Sequence, residues 1–263
     1  MISDQSVRAV DRAISILECF AVDAPELSFT NIAAGIGLSK STTHRLLSTL
    51  QHSGMVEFDD EKAVFRLGRG VLRLGSVAAC GMELVRQARP ILAALAHVSD
   101  ETALLLIPDD SQALCVYRFE GSHPGQSVAL EPGRRVPLNC GAAPRVLLAH
   151  LPEPHWKVLV SSGLEPLTRY SLTSEDELER DRQEITQRGY AMGWEDVSLH
   201  TCDVAAPIFN AKDEVIGAVS ISGIVQRFSA ERLPTLIRSA MEAGQEISRA
   251  LGQARPVSSD AVE

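Results

Sequence analysis

The chain has 263 residues, 45% hydrophobic and 22% charged, the make-up of a folded globular protein with apolar material for two cores. Its formal net charge of −9 excludes a broad surface for nonspecific polyanion binding. Five scattered cysteines (Cys19, Cys80, Cys115, Cys140, Cys202), without a Cys-x-x-Cys pair or His–Cys ligand spacing, point to no disulfide framework and no zinc site, and neither metal nor cofactor is expected.

Residues 1–6 read as a loose start. Val7, Val10, Ile14, Leu17 and Ala21 then recur at helical spacing and predict a first helix, broken by Asp23–Glu26. Thr30 can cap a short helix through Ala34, and Gly35 with Gly37 supplies a bend. Ser39 offers its side-chain oxygen to the N–H groups opening the next helix. In that helix Thr43, Leu46, Leu47 and Leu50 share an inward face, while Lys40, Ser41, Thr42 and Arg45 lie elsewhere near its start. Gly54 closes it, Val56–Phe58 and Val64–Leu67 alternate as strands, and Asp59–Lys62 forms the tip between them.

Helix, turn, helix and hairpin in that order make a winged helix-turn-helix, whose second helix is shaped for the major groove of DNA. Ser39, Lys40, Ser41, Thr42, His44 and Arg45 are its candidate DNA contacts. The competing reading is an ordinary helical pair that never meets DNA. Residues 1–75 hold eight Lys/Arg against nine Asp/Glu, so this domain is not basic. Binding would depend on a few placed cations, helix N-terminal amides and a second copy of the head.

Val71, Leu72 and Leu74 begin another apolar helix toward Cys80, a candidate dimer seam or a plain connector. A helix follows from Met82 to Ser99 with Pro90 bending or restarting it, so residues 76–99 read as linker and dimerisation helices. The period then changes to that of strands, over Glu101–Ile107 and Ala113–Phe119 with turn residues Pro108–Asp110 between them, and more weakly over Gln126–Leu130. Val146–Leu151 and Trp156–Ser161 read as helical, and Thr173 starts a charged helix that ends at Gly189. Asp203–Phe209 and Val215–Ser222 are strands joined by Asn210–Glu214, and a helix from Ser229 to Leu251 closes the fold before a tail, 253–263, expected to be disordered. Residues 100–252 thus form an α+β domain, an antiparallel sheet with packed helices, able to hold a small ligand. No apolar run reaches the roughly 20 residues of a membrane span and MISDQSVRAV is no signal peptide, so a cytoplasmic location without membrane contact is expected.

The segments GLSKSTTHRLLSTLQHSGMVE, RLGRGVLRLG, RGYAMGWED, AAPIF and SISG, in that order over residues 7–251, resemble the IclR family of bacterial transcriptional regulators. The resemblance implies a winged helix-turn-helix, a linker helix used in dimerisation, and a GAF-like domain that binds a small organic effector. It implies operator DNA and an effector as partners, and a homodimer or dimer of dimers. It places Ser220 and Ser222 on the pocket wall, in keeping with the shared face of alternate strand residues. It places Gly141, Ala142 and Ala143 at a helix start facing the effector, where N–H groups could receive an oxyanion.

Three departures qualify that picture. The family's Gly-Lys is Pro144–Arg145 here, which removes one N–H donor. Its frequent cysteine before AAPIF is Asp203, with Cys202 one place away on the other strand face. An acid that some relatives carry ten residues earlier is Gly193. If Asp203 faces the pocket it disfavours a bare carboxylate unless Arg134 or Arg135 compensates, and a hydroxylated, lactone or aromatic compound fits better than a simple acid. The other role for Asp203 is a loop cap away from any ligand. Tyr190 and Trp194 could stack on a ring or pack the core.

The alternative function is a sensor or enzyme whose N-terminal domain mediates protein contact. His200, Cys202 and Asp203 have the residue types of a thiol nucleophile set, but neighbours on one strand cannot aim at one atom, and no catalysis is expected.

Overall fold

The structure is a computed structural model that describes residues 6–122 and 130–253. It divides into two compact units, Met1–Gly81 and Met82–Glu263.

In the first unit α1 (Arg8–Glu18) packs with α2 (Phe29–Ile36) and α3 (Lys40–His52) around Ile16, Phe20, Ile32, Leu47 and Leu50. The buried face of α1 overlaps only in part with the apolar set that marks the helix in the sequence. Ile16 with Ala13, Leu17 and Phe20 enters the core, and Val7, Val10 and Ile14 stay exposed. The helix carries two apolar stripes side by side, and the bulkier one takes the interior. Ser28, not Thr30, caps α2, its hydroxyl accepting from the Asn31 amide at 3.2 Å. The break after α1 also yields an unforeseen strand, β1 (Glu26–Ser28), which pairs antiparallel with β3 (Val64–Leu67), itself paired with β2 (Val56–Asp59). The wing is thus three-stranded. Helix α4 (Arg69–Gly81) follows, with Leu72 72% and Val77 68% exposed.

In the second unit α5 (Glu83–Ser99) buries Leu84, Val85, Ala88, Leu92, Leu95 and Ala96 in the main core. The expected 76–99 linker therefore splits at Gly81–Met82, since the apolar face of α5 belongs to the second unit. The six-stranded sheet comprises β4 (Thr102–Asp109), β5 (Gln112–Phe119), β6 (Arg135–Pro137), β7 (Ala191–Trp194), β8 (Thr201–Phe209) and β9 (Val215–Ile224). Its order is β6-β5-β4-β9-β8-β7, with every pair antiparallel. Pro108 and Asp109 continue β4 rather than turning, and the turn is at Asp110 and Ser111. Strands β6 and β7 escape sequence reading because they are short and contain Pro and Gly. The expected strand over Gln126–Leu130 lies outside the described residues up to its last member, and so does the tail beyond Gln253.

Strand alternation sorts the sheet into two faces. Ala103, Leu105, Cys202, Val204, Val219 and Ile221 meet α5 and α9 (Leu233–Ala250). Leu104, Leu106, Ala205 and Ala218 meet α6 (Ala142–Ala149), whose residues are all buried, beneath α7 (Glu153–Ser161) and α8 (Glu175–Arg188). Position Ser174, not Thr173, precedes α8, and Gly189 ends it as expected.

Candidate functional site

The candidate residues lie on two surfaces, one in each unit. On α3, Ser39 is the N-cap and accepts from the Thr42 amide at 3.4 Å. Its hydroxyl also meets Ser41 Oγ at 3.1 Å and Thr42 Oγ1 at 2.9 Å, so three hydroxyls gather at the helix start. Thr43, Leu47 and Leu50 are buried, which turns Ser41, Arg45, Ser48 and His52 outward as one stripe. Ser48 and His52 were not among the sequence candidates, although they extend the spacing of Ser41 and Arg45. Lys40 is exposed at the helix start and Thr42 is half-buried, while exposed His44 has its ring 6.5 Å from that of Phe29.

Lys40 and Arg45 make no ion pair among the described residues. The wing is different. Lys62 Nζ lies 3.1 Å from Glu26, and Arg66 is 3.4 Å from Glu57 and 3.9 Å from Asp59. Lys40 and Arg45 thus leave free positive charge on α3, which at the helix start adds to that of the N–H groups.

In the second unit the sheet face toward α6 collects the remaining candidates. Register pairs Asp203 with Ser222 and with Gly193, and Ser220 with Ala205 and Leu104. Asp203, Ser220 and Ser222 thus share one face, and Cys202 points to the other, among the α5 and α9 side chains. Ser220 is 1% exposed, and its hydroxyl has no hydrogen-bond partner among the described residues. Ser222 is also buried, whereas Asp203 keeps partial access to solvent.

The start of α6 lies against this face and its amides are engaged. Gly141 N donates to Asp196 Oδ2 at 3.0 Å and Ala142 N donates to Asp203 Oδ2 at 2.8 Å. The Ala143 amide also supports the Asp203 carboxylate. Gly141 has φ +91°, and a Cβ there would stand 2.7 Å from Val197 Cγ2, so both backbone and space call for glycine. The expected oxyanion cradle is filled by the chain's own carboxylates.

The compensating cation is not Arg135. Arg135 is held at the surface by Asp109 at 2.6 Å, and Arg145 takes the role. Buried in α6, Arg145 pairs with Asp181 at 2.8 Å and Asp196 at 3.4 Å and donates to the Met192 carbonyl. Burial opposes its charge, but Asp181, Asp196 and Asp203 hold its pKa above the usual arginine value. Burial, then the nearby Asp196 charge, pushes the Asp203 carboxyl up to about 7, against the Ala142 amide and Arg145, which lower it. Asp196 is raised too, by burial, with Arg145 opposing.

A loop over 164–172 fastens this corner. Thr168 Oγ1 donates to the Glu195 carbonyl at 2.6 Å, Ser171 Oγ to that of Asp196 at 2.7 Å, and Asn139 Nδ2 to that of Leu172 at 2.7 Å. Trp194 is 44% exposed, and Tyr190 packs on the α5–α9 side, so neither ring faces the serines. His200, Cys202 and Asp203 do not converge, because Cys202 is in the core, Asp203 faces the opposite side and His200 is exposed. Burial also raises the Cys202 thiol, which removes the thiolate a nucleophile needs. The described residues include no cluster of three or more potential metal-binding side chains and no helix long and apolar enough to cross a membrane.

A family model described as the IclR helix-turn-helix domain matches residues 9–60, and one described as the bacterial transcriptional regulator IclR C-terminal region matches residues 77–249. The chain is 34% identical over 243 residues to the HTH-type transcriptional regulator BhcR of Paracoccus denitrificans, covering 92% of this chain and 86% of that one. It is similar to a crystal structure of an IclR transcriptional regulator from Alicyclobacillus acidocaldarius, with a TM-score of 0.85 at 26% identity over 94% of this chain and 100% of that one. It shares its fold with an IclR homologue of Microbacterium hydrocarbonoxydans crystallised with 4-hydroxybenzoate, at a TM-score of 0.79 and 23% identity, over 92% of this chain and 98% of that one.

Proposed function

The chain belongs to the IclR family of bacterial transcriptional regulators, and from that premise we propose that it acts in the cytoplasm as a homodimer or dimer of dimers on a two-fold operator. Each copy presents α3 to the major groove, with Arg45, Ser41 and Ser48 toward base edges and Lys40 toward phosphate. The exposed apolar side chains of α4 make the seam between copies, aided by the Val10–Ile14 side of α1, which borders a groove of about 650 Å³ against α3. A small organic molecule received on the Ser220–Ser222 face changes operator affinity by favouring one arrangement of the paired heads.

The observation that carries this reading is the pair of free cations on α3. Lys40 and Arg45 stand exposed without an ion pair at a helix start, while Lys62 and Arg66 are tied to acids. Selection from a random DNA pool with the full chain should enrich two related half-sites about one helical turn, 10–10.5 base pairs, apart or a multiple of it. No enrichment above the starting pool would overturn the reading.

A further inference from the structure

The amides that open α6 are a made-to-measure anion site, and they already hold two carboxylates. Asp203 Oδ2 sits on Ala142 N at 2.8 Å and Asp196 Oδ2 on Gly141 N at 3.0 Å. The chain brings both acids there by sparing the room. A side chain at Gly193 would stand 2.0 Å from Asp203 Oδ1, 2.7 Å from Asp196 Oδ1 and 3.0 Å from Ala142 N.

The local charge is lopsided. Asp181 from α8, Asp196 from the loop after β7 and Asp203 from β8 surround one cation, Arg145 of α6. An incoming carboxylate would find its amides taken and like charges beside it, which disfavours it in a buried setting. An incoming donor finds the reverse. Asp203 retains partial exposure, and an ionised carboxylate has about four acceptor positions, more than the backbone amides use. Independently of the acids, the Ser220 hydroxyl is buried on the same face, one strand from Asp203, and unpartnered. Leaving such a group unsatisfied is costly, so it marks a position where a bound molecule supplies the partner.

We propose that the effector of this protein carries no carboxylate and is a neutral or cationic hydrogen-bond donor, an amide, alcohol or amine, whose donor meets Asp203 and whose acceptor takes the Ser220 hydroxyl. The inference rests on the reading of the second unit as the effector-binding part. The rise of the Asp203 pKa to about 7 accords with it, because a site short of one positive charge takes up a proton until a cation or donor arrives.

Matched triplets on one carbon skeleton test this with the full chain: benzoate, benzamide and benzylamine, then butyrate, butyramide and butylamine. Calorimetry and thermal shift should show an amide or amine binding at least about tenfold tighter than its acid, the margin a charge-assisted hydrogen bond provides. Ser220→Ala should weaken that binding, and Asp203→Asn, which keeps an acceptor for Ala142 N, should narrow or reverse the order of amine and acid. An acid that binds as tightly as its amide and loses affinity in Ser220→Ala overturns the proposal, and so does a series in which no member binds. Operator retention measured in parallel separates the two readings. Acids that release the operator would leave the regulator standing and remove the donor class; a chain that binds no operator would remove the regulator itself.

Discussion

Asp203 Oδ1 occupies the space that a side chain at Gly193 would fill, since a Cβ there would lie 2.0 Å away. The two are register partners on neighbouring strands, so the acid on β8 and the bare position on β7 form one feature. Gly193→Ala should destabilise the chain by about 2 kcal/mol, an ordinary cost of overpacking. In an Asp203→Ala background the same change should cost less, because the closest of three contacts is gone while those to Asp196 and Ala142 N remain. Urea denaturation of the four proteins measures both, and equal costs in the two backgrounds would show that Gly193 serves something else.

The Asp203 carboxyl also sets a pH dependence. Its folded pKa, about 7, lies above the free carboxylate range, so the native chain keeps a proton that the unfolded chain releases. The stability this lends is complete below about pH 4 and is lost as pH rises through about 7. Asp203→Asn should therefore gain about 2 kcal/mol relative to the parent on going from about pH 5 to about pH 8. Asp196 shifts in the same direction and leaves a residual slope. Denaturation midpoints for both proteins across that range check it; parallel curves would contradict the assignment.

On α3, Arg45→Ala should weaken binding to a selected operator by about 1–3 kcal/mol and relax preference at one base position. Lys40→Ala should weaken all sequences alike and reduce the dependence of log affinity on log salt by about one unit. Fluorescence anisotropy at several salt concentrations distinguishes the two. Unchanged affinity for both variants, with intact folding, would remove α3 from the interface.

The cap of α3 is separable from its contacts. Ser39→Ala removes the acceptor for the Thr42 amide and should cost about 1 kcal/mol of stability in the first unit. Ser39→Asp should keep that stability, while its negative charge weakens DNA binding. Thermal denaturation and anisotropy together report the split, and equal loss of both properties in the two variants would refute it.

Assembly should depend on α4. Leu72→Glu combined with Val77→Glu places two charges on its exposed apolar side and should shift the full chain toward monomer in light scattering. Operator affinity should fall with it, since paired heads double the contacts. A dimer of unchanged mass would move the seam elsewhere.

Much of this was readable from residue order, for identifiable reasons. The winged head is local in sequence, so its turn at Gly37, its cap at Ser39 and its hairpin announce themselves. The opposed faces of Cys202 and Asp203 follow from the two-residue period of a strand. Which side of α1 is buried is not legible, because adjacent apolar stripes leave periodicity undecided. The Arg145 cluster was out of reach for another reason: its ion pair with Asp181 spans 36 residues, and the bond from Gly141 to Asp196 spans 55. Only the packing of α6 against α8 and the sheet, not any local pattern, brings those residues together.

Lys62 and Arg66, bound to acids of their own sheet, leave the wing with little charge to offer a phosphate. Each phosphate contact forgone removes about one released counterion, which lowers affinity for random sequence. A chromosome presents about a million or more competing registers, and a strongly basic reader is soaked up by them. A self-neutralised wing escapes that sink. The unbound pool stays large, few copies suffice to find the operator, and occupancy follows the concentration of the effector rather than the amount of chromosome in the cell.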